Sequence, residues 1–333
     1  MRWCLTFLVS IAICLEITQA APLLERNKFV LYYGRDSSEV FPLSNAVDIL
    51  SSPNFDQSKK TVIYIHGNNE DQTSVSVKTV VSAYLQRDDY NIIALDWKED
   101  ASGEYLLNAV ANVMRLGDTL SKVIADMIAA GLNRDRLHLV GYSLGGQMVG
   151  RIGAGLKRRS SRKLVLRRIT ALDPSFTGFY GPFTSHITKD DAQFVDIIHT
   201  DAYLYGFPEN AGTVDFWPNG GNSVQPGCPR RNYIPMTEND LCSSWRSWRY
   251  WAESVARPTV QFNAIQAANW GAFKKGNVAE YDQNVVMGND CPENISGVYY
   301  LQTNSESPFA RGEKGVNYNR NNGNSVDENE LED

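Results

Sequence analysis

The chain has 333 residues, 43% of them hydrophobic, which is enough to bury a sizeable core in one large domain or two smaller ones. The net charge is −6, and the last twenty-one residues carry −4 of it, so the body is close to neutral. A basic, phosphate-binding surface is not indicated, which argues against a nucleic-acid partner.

The first twenty residues begin Met1-Arg2, run apolar from Leu5 to Leu15 and reach Thr18-Gln19-Ala20. That is the layout of a cleavable signal peptide, with a buried N-terminal helix as the alternative. No other stretch approaches the ~18 apolar residues of a membrane span, so a soluble, exported protein without a transmembrane segment is expected. Cys4 and Cys14 fall in the leader, leaving Cys228, Cys242 and Cys291 in a disulfide-permissive compartment. One pair and one leftover thiol is the simplest arrangement.

From Thr61 onward short β-branched apolar runs alternate with amphipathic stretches, the pattern of a mostly parallel sheet covered by helices. Strands are predicted at Thr61–Ile65, Ile92–Asp96, Leu137–Val140, Arg168–Leu172 and Phe194–His199. Between the second and third, Val113, Leu116, Leu120, Ile124 and Met127 form one stripe of a long helix, the crossover that a parallel pair requires. The basic stretch Lys157 to Lys163 reads as a solvated loop, and residues 313–333, rich in Asn, Gly and acid, read as a disordered tail. The expected organisation is a leader over 1–20, one domain over 21–312 and an acidic tail over 313–333.

Gly141-Tyr142-Ser143-Leu144-Gly145 lies between the apolar strand at Leu137–Val140 and the small-residue run Gly146 to Leu156, which reads as a helix. A strand-to-helix turn that exposes a serine oxygen needs residues without bulk on both sides, and the two glycines supply that. Ser143 is the candidate nucleophile. The Leu144 amide, at the start of the following helix, is a candidate oxyanion donor. Its partner would be the amide of Asn68, in His66-Gly67-Asn68 just beyond the Thr61–Ile65 strand.

His66-Gly67, Asp96-Trp97, Gly141 to Gly145, Leu172-Asp173-Pro174, the run Asp191 to Asp201 and the run Asp215 to Gly221 together resemble the pancreatic-lipase-like family. Met287-Gly288 and Gly297 to Leu301 extend the likeness to about residue 312. The lengths between motifs resemble those of insect members, which lack the C-terminal β-sandwich of the vertebrate lipases. The resemblance implies an α/β-hydrolase fold with helices on both faces of the sheet, and a secreted hydrolase of lipid carboxylic esters.

It also assigns Asp173 as the acid of a serine triad, in the chain order Ser, Asp, His; without it, Asp173 before Pro174 reads equally as a turn cap. By the same likeness Cys228 and Cys242 staple a lid. The thirteen residues they enclose make a short lid, of a kind that in the family accompanies phospholipases and polar-lipid enzymes. Transient contact of this lid with a lipid surface is expected, with Tyr233, Ile234, Pro235 and Met236 as its small apolar centre. A plain disulfide-closed loop is the alternative.

Two residues after the second lid cysteine the family places the triad histidine. Here the run is Cys242-Ser243-Ser244-Trp245, and Ser244 stands in that position. A serine hydroxyl has no usable basicity near neutral pH, so the proton of Ser143 has no acceptor. Only four histidines exist. His66 is expected to pack the oxyanion loop, His138 to lie at the far end of the sheet and His199 to be structural, which leaves His186 as the one substitute base not excluded by position.

Family members often pair a cysteine near Gly276-Asn277 with one near Cys291; Val278 occupies that neighbourhood here, so Cys291 is the expected free thiol. Trp245, Trp248 and Trp251 form an aromatic stripe of one helix, read as core packing. Asn294-Ile295-Ser296 is an N-glycosylation acceptor sequence. No spacing implies a metal or organic cofactor. Two readings remain: an impaired or rescued lipid esterase, and a non-catalytic lipid- or protein-binding member resembling insect yolk proteins.

Overall fold

A computed structural model describes residues 23–320 apart from 182–183, 231–233 and 283. The proposed leader and Tyr233 of the lid therefore lie outside the described residues. Ten strands form one sheet: β1 (Lys28–Gly34), β2 (Ser37–Pro42), β3 (Lys60–Ile65), β4 (Tyr90–Asp96), β5 (Leu137–Tyr142), β6 (Arg168–Leu172), β7 (Phe194–Ile198), β8 (Val214–Pro218), β9 (Ile265–Gln266) and β10 (Gly297–Leu301). Their order across the sheet is β2-β1-β4-β3-β5-β6-β7-β8-β10-β9. The seven strands from β4 to β10 in that order run parallel, while β1, β2 and β9 are antiparallel edges.

The parallel strands are apolar on both faces because both are covered. On one face Ile63, Ile65, Leu139 and Ile169 meet helices α2 (Val110–Ala129) and α3 (Leu144–Arg159), reached through Leu116, Leu120, Met148 and Ile152. On the other Val62, Tyr64, Val140 and Leu172 meet α1 (Val75–Leu85) and α4 (Glu238–Val255) through Val80, Tyr84, Trp248 and Trp251. A fifth, short helix, α5 (Trp270–Lys274), packs over the β10 edge. This is the α/β-hydrolase fold that the alternating pattern and the family resemblance predict.

Two segments depart from expectation. The basic stretch from Lys157 is not all loop: α3 runs through Arg159, Arg151 and Arg158 pair with Asp118 of α2, and Arg159 donates to Ser121 Oγ. Cations in the last turn of a helix are favoured by its dipole, and here α2 supplies partners as well. Nor does order end at residue 312. A 3-10 turn spans Gly312–Val316, Val316 is buried, and Tyr318 packs on Trp270 and Phe273. The first eight residues of the expected tail thus belong to the body, and residues 321–333 lie outside the described part.

Candidate active site

Strand register builds the site. Ile65 of β3 pairs with Gly141 of β5, and Tyr142 of β5 pairs with Leu172 of β6. The next residues along each strand, His66-Gly67, Ser143 and Asp173, therefore emerge side by side at the carboxyl edge of the sheet, where open α/β folds place ligands.

Ser143 stands at φ 54° and ψ −115°, a turn that non-glycine residues seldom adopt and that costs on the order of 1–3 kcal/mol. The flanking glycines are required by contact. A Cβ on Gly141 would stand 2.1 Å from the Gly145 carbonyl oxygen, and one on Gly145 would stand 2.1 Å from that of Ile65. Gly67 is also close, though less so: its Cβ would lie 3.1 Å from that of Ser143. Among the described residues neither the Asn68 nor the Leu144 amide, the two expected oxyanion donors, donates a hydrogen bond.

Ser143, Asn68, Tyr142, Ser244 and Ser175 open onto one cavity of about 490 Å³. Its walls are Tyr105, Val75, Leu204, Tyr205, Met236, Leu241, Trp245 and Trp248. Among the described lining residues Glu70 is the one charged side chain, and none is a histidine, lysine or arginine. The aromatic stripe thus divides: Trp251 is wholly in the core, whereas Trp245 and Trp248 also face the cavity. Cys228 and Cys242 form the expected disulfide at the cavity mouth, and α4 begins inside the loop they close, so Glu238 to Leu241 are helical. Cys291 is free and buried, and burial pushes its thiol up.

Asp173 is buried beneath Ser143. Its Oδ1 accepts the amides of Thr200 at 3.0 Å and Asp201 at 2.9 Å, while Oδ2 has no hydrogen-bond partner of good geometry. Burial raises the carboxyl above its ordinary pKa; the neighbouring Ser244 hydroxyl and the two amides pull the other way. Ser244 Oγ in turn stands 3.1 Å from the phenol of Tyr142, so Tyr142 reaches the ground an imidazole would occupy. Ser143 Oγ meets Ser175 Oγ at 2.9 Å. The hydroxyls that meet Ser143 Oγ and Ser244 Oγ, those of Ser175 and Tyr142, do not accept a proton near neutral pH.

The four histidines are all placed elsewhere. His66 shares Nδ1 with the Gly67 carbonyl at 3.0 Å, stacks on Trp97, and is depressed to about 4 by burial. His138 pairs in register with Arg168, at the opposite ends of the strands that lead to Ser143 and Asp173. His199 lies against Trp217 at 3.9 Å and holds Asp215 at 2.8 Å, a structural role. His186, the remaining candidate base, stacks on Phe207 with ring centres 4.7 Å apart and is not among the cavity residues. The structure thus does not bring His186 to the cavity of Ser143.

Sequence reasoning missed Ser175, Tyr142 and Glu70. Glu70 accepts the Gly67 amide at 2.7 Å and the Ser76 hydroxyl at 2.5 Å, tying the oxyanion loop to the first turn of α1, and burial raises its carboxyl. A serine two residues after an acid, a tyrosine in an elbow and a loop glutamate give no signal until the fold brings them together. Among the described residues no group of three or more His, Cys, Asp and Glu is arranged to hold a metal, and no helix is long and apolar enough to cross a membrane.

The sheet and the serine elbow at its carboxyl edge define an α/β-hydrolase fold. The chain matches the lipase family over residues 14–309 and belongs to it, as a pancreatic-lipase-like member. It is 37% identical over 202 residues to lipase member H-A of Xenopus laevis, covering 60% of this chain and 42% of that protein. It is 26% identical over 323 residues to pancreatic triacylglycerol lipase of Oryctolagus cuniculus, covering 88% and 66%. With inactive pancreatic lipase-related protein 1 of Canis lupus familiaris the identity is 28% over 321 residues, covering 87% and 66%. The chain thus spans between two fifths and two thirds of the length of these relatives.

Proposed function

We propose that this is an exported lipase-family protein that holds an acyl lipid in the cleft over Ser143 and lacks the base needed to cut it. One observation carries the reading: the cavity that exposes Ser143 is lined by no histidine among the described residues, and the side chain facing Ser143 is Ser175. Acyl transfer requires a group that takes the serine proton and returns it to the leaving alcohol. Removing the histidine of a serine triad lowers turnover by about 10⁶. Ser143 as nucleophile, Asp173 as acid, and Leu144 and Asn68 as oxyanion donors retain the frame of the reaction, with Ser244 as the gap in it.

Several features support the rest of the reading. The apolar walls suit an acyl chain, and the exposed Leu204 and Met236 of the cavity, with the exposed Ile234 of the lid, suit contact with a lipid surface. The short disulfide-closed lid favours polar acyl lipids such as phospholipid. Asn294 is exposed and open to glycosylation, as suits export after removal of residues 1–20 as a signal peptide. A relative named as an inactive lipase-related protein supports the existence of members without turnover.

The test is hydrolysis of short-chain esters, triacylglycerol and phospholipid by the purified chain, Ser143→Ala and Ser244→His. The expected result is no turnover above Ser143→Ala for the wild type and a gain for Ser244→His. Wild-type turnover that Ser143→Ala abolishes would refute the missing base.

A further inference from the structure

The carboxyl edge of the sheet holds the cavity over Ser143, and the opposite, amino edge holds a second cavity of about 460 Å³. Strand register builds this one too. Thr61 of β3 pairs with Leu137 of β5, so the residues just before them, Lys60 and Arg136, stand side by side at the sheet edge. One residue further along β5, His138 pairs with Arg168 of β6, and all four line the cavity.

Its lining carries both signs of charge, and pairing decides which is left over. Arg168 is saturated by Asp196 and by the Gly288 and Asn289 carbonyls. Arg167 holds Glu293 at 2.7 Å. Asp135 and Asp290 lie 3.5 and 3.7 Å from Arg134 and Arg87, two cations that stand outside the lining. Lys60 and Arg136 are the lining cations with no acidic partner among the described residues: Arg136 donates to the Ser58 carbonyl, and Lys60 lies 5.5 Å over the Tyr90 ring. Two adjacent, uncompensated cations on a concave wall attract an anion. Tyr90 adds a donor, because its oxygen accepts from Asn289 Nδ2 at 3.3 Å and its own O–H is left free. The near-neutral charge of the body gives no sign of this pair, since Lys60 and Arg136 are far apart in the chain.

His138 selects among anions. The Thr170 hydroxyl donates to Asp196 at 2.7 Å, so its oxygen accepts from His138 Nε2 at 2.8 Å. That fixes the tautomer and leaves a lone pair on Nδ1, which has no partner among the described residues. Burial, with the charges of Arg168 and Lys60, holds this imidazole well below its ordinary pKa, so it stays neutral. Such a lone pair repels an anionic oxygen that carries no hydrogen and accepts from one that does. Sulfate and carboxylate have no hydrogen to give near neutral pH, whereas a phosphate group retains one.

We propose that this cavity binds a phosphate group that keeps a hydrogen, its charged oxygens on Lys60, Arg136 and Tyr90 and its P–OH on His138 Nδ1. Free phosphate and the monoester end of a larger molecule share this chemistry, and the volume leaves room for a substituent. The experiment is calorimetric titration of the full chain with inorganic phosphate, glycerol 1-phosphate and sulfate at about pH 6, where a phosphomonoester still holds its hydrogen in part. Retention on phosphatidylcholine vesicles with and without phosphatidic acid runs beside it. The expected result is saturable phosphate binding at least about tenfold tighter than sulfate, as one gained hydrogen bond requires. Lys60→Gln and Arg136→Gln, both at exposed positions, should each weaken it about tenfold, and the Nδ1 resonance of His138 should move with phosphate and not with sulfate. Binding of the free ion, of glycerol 1-phosphate, or of phosphatidic-acid vesicles in a manner lost in the double variant each supports the site and identifies the source of the group. Sulfate binding as tight as phosphate, binding unchanged in the double variant, or no saturable binding in any arm overturns it.

Discussion

The tightest contact at the elbow gives the sharpest prediction. In Gly145→Ala the new methyl would stand 2.1 Å from the Ile65 oxygen, 2.7 Å from the Ile65 carbonyl carbon and 2.8 Å from the His66 oxygen. All three are backbone atoms, so no rotamer change relieves the clash, and α3 must move away from β3. Overpacking of this kind costs about 1–3 kcal/mol, and a contact this short against main chain belongs at or above the top of that range. At about 2–4 °C per kcal/mol for a domain of this size, the melting temperature should fall by roughly 6–12 °C. The same displacement separates Leu144 from Asn68, because Gly67 touches Ser143 through the very face that moves. In a Ser244→His background that gains activity, Gly145→Ala should therefore lose most of kcat with little change in KM, as expected for donors that act on the transition state. Scanning calorimetry and ester kinetics test both parts. A variant that melts with the wild type and keeps its kcat would refute the packing argument.

Asp191, buried and raised to about 6, holds a proton in the folded state that it releases when unfolded; it contributes fully below pH 3.8, and that contribution is lost as pH rises to 6. The stability difference between wild type and Asp191→Asn, from urea titrations at pH 4 and 7, should thus shift by up to about 3 kcal/mol in favour of the variant at the higher pH. His66 acts with the opposite sign: lowered to about 4, it adds stability above pH 6.5 that is lost on acidification towards 4, so replacing it should flatten the acid limb of the same titration. Arg168 forks onto Asp196 at 2.9 and 2.8 Å with both side chains buried, and Asp196→Ala, which strands the guanidinium, should cost about 3–5 kcal/mol. Cys228→Ala with Cys242→Ala opens a short loop and should cost about 3 kcal/mol in thermal unfolding while leaving the sheet intact by circular dichroism.

The central strands were legible because they are short, mostly apolar runs, several of them set between amphipathic stretches; β6 falls on its expected bounds, Arg168–Leu172, and β5 overruns its own by two residues into the elbow. The edges were not. β1 and β2 precede the repeating pattern, and β8 and β10 are separated by the lid and α4, so their pairing has no local sign. Ser143 could be read from its motif and setting, whereas Asp173 and the lid disulfide were implied by the family resemblance. Ser175 and Tyr142 could not, because what they do depends on hydroxyl contacts made across 32 and 102 residues of chain.

The surviving triad positions are weaker evidence of catalysis than their retention suggests, because the fold itself demands their surroundings. Gly141 and Gly145 are fixed by backbone contacts within the sheet-to-helix turn, whatever chemistry the turn serves. Asp173 caps the Thr200 and Asp201 amides, and its loss would leave two buried donors unpaired. Ser143 is held through its carbonyl by the Ser175 amide as well as through its hydroxyl. The third position has no such anchor. Ser244 sits on one face of α4 with its side chain towards the cavity, where no backbone group needs an imidazole. Of the three, it is the one whose catalytic side chain can be exchanged without stranding a buried partner other than Asp173 Oδ2.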